Sequence, residues 1–193
     1  LCVRILRKDI EKLGYKKNFT IYSSSDQVGL IRKLISRKSA KDESLDHNLA
    51  ISLISRSKNK GVPVSDENDS LISEIEKFYN KELKHLNAVD FDDLLILAVQ
   101  VLKENVDVIN FWRERFKYIT VDEFQDTNKK QMELVQLLSG SEQNVCVVGD
   151  DDQSIYGWRG AEISNILEFE RFFKSPKVIT LEQNYRSNQA ILH

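Results

Sequence analysis

The chemistry this sequence could do is concentrated in two groups of carboxylates. The first is Asp122-Glu123, directly after the apolar run Tyr118 to Val121. The second is Asp150-Asp151-Asp152, which follows Val145 to Gly149 and precedes Gln153. An acid at the tip of a buried strand can hold Mg²⁺ through one or two oxygens while phosphates fill other coordination positions. A second acid beside it can orient or deprotonate a water. Taken alone, these residues leave other readings open. Asp122 or Asp126 could cap a helix, the aspartate trio could be a solvated turn, and a receiver-type phosphoacceptor cluster also uses acids of this kind.

Such acids work together only if the fold brings them to one edge. Tyr118 to Val121, Val145 to Val148 and Val178 to Leu181 are short, apolar, β-branched runs. Helical stretches, Lys129 to Leu138 and Ile163 to Phe173, separate them. Strands alternating with helices predict a parallel sheet in a doubly wound α/β domain. In open sheets of this class ligands sit outside the carboxyl ends of the strands, where both acid groups fall. The first half has a different rhythm. Val3, Leu6, Ile10 and Leu13 recur at helical spacing, and Gly14 ends the run. Phe19 to Tyr22 is strand-like, and Ser23 to Asp26 offers an N-cap for a helix across Val28 to Ile35. Leu45 to Ser55 is another helix. Leu71, Ile75, Phe78, Tyr79 and Leu83 form an amphipathic stripe, and Asp92 to Leu102 is a buried helix. Asn59 to Asn68, with Gly61 and Pro63, reads as a loop.

Composition sets the outer limits. Of 193 residues, 41% are apolar and 30% charged, enough to bury a core and to exclude wholesale disorder. The net charge of −2 by itself suggests no polyanion partner, but it is unevenly spread. Residues 1–60 hold 14 Lys and Arg against 6 Asp and Glu, whereas residues 86–193 hold 11 against 18. Such asymmetry suits a basic, nucleic-acid-facing part joined to an acidic, metal-using part, and also suits solvated helix faces of uneven sign. Cys2 and Cys146 are too far apart for a zinc-finger spacing and fit a reducing, cytoplasmic setting. Cys146, inside an apolar run, is expected to be a buried, inert thiol. The longest apolar run, Leu94 to Val99, is far too short to span a bilayer, and no signal-peptide pattern opens the chain. A chain that starts at Leu1 and has its only methionine at Met132 is expected to be an excised part of a longer protein.

Three segments make the reading specific. Residues 121–128 are V-D-E-F-Q-D-T-N, residues 148–161 are V-G-D-D-D-Q-S-I-Y-G-W-R-G-A, and residues 181–187 are L-E-Q-N-Y-R-S. In this order they resemble motifs II, III and IV of the UvrD/Rep family of superfamily 1 DNA helicases. Asp90-Phe91-Asp92-Asp93-Leu94 is similar to the family's segment before motif II, and Ile54 to Pro63 is similar to its inserted helical subdomain. The resemblance implies part of a RecA-like, parallel-sheet P-loop NTPase domain with an inserted, mostly helical subdomain. It divides the chain into 1–25 at the edge of the motor domain, 26–86 as the insertion, and 87–193 as the motor domain with the three motifs.

The family resemblance also implies roles. Asp122 would bind the Mg²⁺ of MgATP, and Glu123 would activate the attacking water. Gln153 would sense the γ-phosphate, Arg186 would neutralise charge on it in the transition state, and Tyr185 would stack on adenine. Tyr156, Trp158 and Arg159 would contact single-stranded DNA, since aromatic faces stack on any base and arginine meets phosphate. Lys58 and Asn59, in the basic half, would approach duplex DNA, alongside the alternative of a solvated basic loop. ATP and Mg²⁺ are the implied cofactors. Single-stranded DNA and its junctions with duplex are the implied partners, with no membrane involved. A phosphate-cradling G-x-x-x-x-G-K-[ST] loop does not occur in these 193 residues. The expectation is therefore a segment of a 3′–5′ DNA helicase that does not hydrolyse ATP alone. A helicase–nuclease and a non-hydrolysing DNA-binding scaffold are the alternatives.

Overall fold

A computed structural model describes residues 1–38, 46–60, 69–157, 160–188 and 191. The chain opens with α1 (Cys2–Asp9) and a 3₁₀ turn that stops at Gly14, whose left-handed φ of 79° suits glycine. Strand β1 (Thr20–Ile21) leads into α2 (Ser24–Lys38), α3 (His47–Lys60) and α4 (Asp69–His85). A reciprocal pair starts α2: Ser23 N–H donates to Asp26 at 2.9 Å, and Asp26 N–H donates to Ser23 Oγ at 3.3 Å. Strand β2 (Ala88–Val89) returns beside β1 in parallel, with Thr20 opposite Ala88 and Ile21 opposite Val89. The three helices thus leave and re-enter through one two-stranded neck. They enclose a core of their own: Leu30, Ile31, Leu34, Ala50, Ile54, Ile75, Tyr79 and Leu83.

A second core packs α1 against α5 (Phe91–Glu104), α6 (Val106–Arg115) and α7 (Lys129–Ser139) through Ile5, Leu6, Val99, Leu102, Trp112 and Leu138. Capping boxes start α5 (Asp90 with Asp93) and α7 (Asn128 with Gln131). Between them β3 (Ile119–Val121) pairs in parallel with β4 (Val145–Val147), Ile119 opposite Val145 and Val121 opposite Val147. Ile119, Val121, Val145 and Val147 face a third cluster around Phe124, Met132, Val135 and Phe173.

Four expectations change. Val178 to Leu181 is not a strand. Among the described residues no neighbour takes up its backbone groups, and Val178, Ile179 and Leu181 are exposed. The helix expected over Ile163 to Phe173 breaks at Glu168 into α8 (Ser164–Leu167) and α9 (Phe169–Phe172). That break lets Phe169 stack on Phe173 and meet Phe124 edge-on. Cys146 is exposed, not buried. Strand alternation turns Val145 and Val147 to the core and the residue between them to the opposite face. Asn59 and Lys60 continue α3 instead of opening a loop; Gly61 and Pro63 lie outside the described residues. Among the described residues, no helix is long and apolar enough to cross a membrane.

Candidate functional site

The carboxyl ends of β3 and β4 are laced together by backbone hydrogen bonds. Val148 N–H donates to the Val121 carbonyl at 2.8 Å, and Phe124 N–H donates to the Val148 carbonyl at 3.0 Å. Asp122 and Glu123 are therefore presented at the tip of a fixed strand pair, and both are exposed. Asp122 Oδ1 accepts the Glu123 N–H at 2.9 Å. Its Oδ2 has no protein partner among the described residues, so it remains available to an external ligand. Glu123 has left-handed backbone, φ 48° and ψ 46°. A non-glycine residue held there is strained, by roughly 1–3 kcal/mol, and persists only where its surroundings over-determine it. The surroundings here are the 3₁₀ turn Phe124–Asp126, anchored by the fully buried Phe124 ring.

The same turn carries a residue that sequence reasoning quoted but gave no role. Gln125 is 1% exposed. Its Nε2 donates to Glu123 Oε2 at 2.8 Å, and its Oε1 accepts the Asp150 N–H at 3.1 Å. Asp150 in turn caps the turn Asp151–Gln153, accepting Asp152 N–H at 3.0 Å and Gln153 Nε2 at 2.7 Å. Glu123 and Gln153 are thus joined by an unbroken hydrogen-bonded path through Gln125 and Asp150. Gly149 makes this approach possible: a Cβ there would lie 2.6 Å from Gln125 Oε1 and 2.9 Å from Ile166 Cδ1. A legible signal existed in the sequence. An amide placed two residues after the acid offers both a donor and an acceptor, and the glycine after β4 opens room beside it.

Downstream, the segment that follows Gln153 is pinned at its far end too. Glu162 N–H donates to the Thr127 carbonyl at 2.9 Å. The buried Asn165 donates through Nδ2 to the same carbonyl at 2.9 Å and to Thr127 Oγ1 at 3.1 Å. Both ends of the 149–162 segment therefore hang on the turn after β3. Tyr156, within it, is 39% exposed. Trp158 and Arg159 lie outside the described residues. Tyr185 and Arg186 are exposed on the final segment, where Asn184 Oδ1 accepts the Arg186 and Ser187 N–H groups. No hydrogen bond or ion pair among the described residues links their side chains to Asp122, Glu123 or Gln153.

Lys58 and Asn59 are corrected by the structure. The Lys58 side chain is only 5% exposed, and its Nζ lies 2.7 Å from both Asp90 Oδ2 and Asp93 Oδ1. Asn59 Nδ2 donates to Asp92 Oδ1 at 2.8 Å and to the Ser55 carbonyl at 2.9 Å. A buried ammonium committed to two carboxylates is not a surface contact for DNA; it joins α3 to the start of α5. Tyr79 completes the cluster, donating its hydroxyl to Asp90 Oδ2 at 3.1 Å. Burial alone would lower the Lys58 pKa, but the charges and hydrogen bonds of Asp93 and Asp90 outweigh it and hold it above the ordinary lysine value. Burial raises the Asp93 carboxyl, with Lys58 opposing and Asp90 adding to the shift. Burial, then Asp93 and Asp90, push the Tyr15 hydroxyl up to about 12.

Comparison with known proteins adds to this geometry. Residues 1–174 match the family model described as UvrD/REP helicase N-terminal domain. The chain is 39% identical over 200 residues to ATP-dependent DNA helicase PcrA of Staphylococcus aureus, and 40% identical over 200 residues to PcrA of Staphylococcus epidermidis. Each alignment covers 100% of this chain and 27% of the relative, so the chain spans about a quarter of the length of these curated relatives.

Proposed function

The chain belongs to the UvrD/REP helicase N-terminal domain family, and on that premise we propose that it is the part of an ATP-dependent 3′–5′ DNA helicase in which nucleotide hydrolysis is joined to a grip on single-stranded DNA. The observation that carries this reading is the hydrogen-bonded path from Glu123 through Gln125 and Asp150 to Gln153. It unites Glu123 of one motif with the polar sensor of the next.

MgATP suits the donor set. Magnesium commonly takes only one or two carboxylates and fills its remaining positions with water and phosphate. Among the described residues there is no cluster of three or more His, Cys, Asp or Glu for a dedicated metal cage. Asp122, exposed and with Oδ2 unpaired among the described residues, is the residue that would hold the ion. Bound there, Mg²⁺ would neutralise phosphate charge, and ATP would supply the γ-phosphoryl group. Glu123 accepts the proton of the attacking water. Gln153 meets the γ-phosphate, the Arg186 fork matches its oxygens, and the Tyr185 ring suits a purine face. Tyr156, Trp158 and Arg159 form the DNA side, stacking on bases without regard to sequence. Residues 26–86 act as the inserted helical subdomain between residues 1–25 and 87–193 of the motor domain.

The test is made on the full-length protein that contains this chain. Single-stranded DNA should stimulate its phosphate release, and it should displace a strand from a substrate with a 3′ single-stranded tail in an ATP-dependent manner. Both activities should disappear together in Glu123→Gln. ATP hydrolysis indifferent to DNA, or strand displacement that survives Glu123→Gln, would overturn the reading.

A further inference from the structure

We propose that Gln125 is a positioning residue for hydrolysis: its buried amide aims the Glu123 carboxylate and ties that aim to the turn carrying Gln153. This rests on the role proposed for Glu123 and names the group that governs it.

The orientation of the Gln125 amide is fixed by chemistry. The Asp150 N–H can only donate, so Oε1 must face it at 3.1 Å. The Glu123 carboxylate accepts, so Nε2 faces it at 2.8 Å. Donor and acceptor sit on one planar group, so neither bond can move without moving the other. The amide is also enclosed: Gln125 is 1% exposed, and Gly149 leaves no room for even a methyl group against its Oε1. Glu123, by contrast, is exposed and stands on strained, left-handed backbone. Among the described residues, Gln125 makes the only hydrogen bond to its carboxylate. Without that bond the carboxylate would sample several rotamers in solvent. On the far side, Asp150 also holds Gln153 through Nε2 at 2.7 Å. A displacement of the 150–153 turn that follows Gln153 therefore pulls on Asp150, then on Gln125, then on the carboxylate of Glu123. Filling a hydrogen-bond requirement of Asp150 would need only the acceptor half of Gln125; the donor half acts on Glu123.

The experiment separates the two halves in the full-length protein. Gln125→Met removes both bonds and keeps the volume. Gln125→Glu keeps an acceptor for Asp150 N–H and places a like charge against Glu123. Thermal midpoint, MgATP affinity, kcat, KM and peptide-level hydrogen exchange over residues 148–153 are measured on each, beside Glu123→Gln. The expected result is kcat lowered by up to about 100-fold in both variants, the scale of a misplacement of about 1 Å, with KM and MgATP affinity little changed. Exchange over 148–153 should quicken in Gln125→Met and stay near wild type in Gln125→Glu. If Gln125→Met fails to fold, Gln125→Glu carries the test. Wild-type kcat in a folded Gln125→Glu would overturn the proposal, because it would show that only the Asp150 bond matters. An inactive Glu123→Gln beside fully active Gln125 variants would remove Gln125 alone. A Glu123→Gln protein with near wild-type turnover would remove the base assignment and this inference together.

Discussion

Replacing Lys58 by methionine should destabilise the 193-residue chain severely while leaving DNA binding by the full-length protein largely intact. The methionine keeps most of the aliphatic stem and deletes the charge. What remains is a pair of carboxylates, Asp90 and Asp93, with side chains 3% and 13% exposed and no cation between them. Removing one partner of a buried pair costs about 3–5 kcal/mol, chiefly because the other charge stays buried and uncompensated. In a chain of this size each kcal/mol moves the thermal midpoint by roughly 2–4 °C, so a drop of roughly 6–20 °C is expected. The sign of the pH dependence follows from the folded-state shifts. Asp93 already sits above its ordinary 3.8 because it is buried, and losing Lys58 raises it further. A carboxyl raised on folding favours the folded state more as pH falls, so the variant's deficit should narrow from neutral towards acid pH. Lys58 itself is held above 10.5, so the stability it contributes is present below that value and lost as pH rises through its folded pKa. Asp93→Asn in the Lys58→Met background should restore part of the loss by removing one orphaned charge. The assay is denaturant unfolding across pH, with DNA affinity measured in parallel. A loss below about 1 kcal/mol, the scale of an exposed pair, together with weakened DNA binding would refute the assignment of Lys58 to a buried joint.

Other outcomes follow from the same geometry. Gly149→Ala would drive a Cβ to within 2.6 Å of Gln125 Oε1 and 3.2 Å of the Phe124 nitrogen; overpacking of this kind costs about 1–3 kcal/mol, readable as a lowered denaturant midpoint. The 193-residue chain by itself, which contains no G-x-x-x-x-G-K-[ST] loop, should release no appreciable phosphate from ATP with or without single-stranded DNA; robust DNA-stimulated release would sink that expectation. Trp158→Ala in the full-length protein should weaken single-stranded DNA binding by roughly 1–3 kcal/mol with little sequence preference. A large fall in thermal midpoint with unchanged affinity would make Trp158 a packing residue instead.

Much of the frame was legible because its signals are local. β-branched runs marked β3 and β4, and caps and apolar spacing marked α2, α4, α5 and α7. The strand β2 is two residues long, too short for any periodicity, and exists because β1 lies beside it. Val178 to Leu181 has the composition of a strand, yet pairing needs a neighbouring backbone, which composition cannot supply. Lys58 was misread for a similar reason. Its partners are 32 and 35 residues away, and a lysine followed by Asn59 and Lys60 looks solvated until α3 is packed on α5. At the site itself, the placement of the acids at strand tips was legible, because apolar β-branched runs lead directly into them. Gln125 was only half legible: the amide two residues after the acid and the glycine after β4 stand in the sequence, but an uncharged amide gains its meaning only from what faces it.

The claim that the strand-tip acids form the hydrolytic centre is tested most directly by separating nucleotide binding from turnover in the full-length protein. MgATP affinity and single-turnover phosphate release would be measured for wild type, Asp122→Ala and Glu123→Gln. The expected pattern is crossed: Asp122→Ala loses metal-dependent nucleotide binding, while Glu123→Gln binds MgATP normally and turns over at least about 10²-fold more slowly, the scale of losing a general base. Turnover near the wild-type rate in Glu123→Gln, with nucleotide binding unchanged in Asp122→Ala, would contradict it.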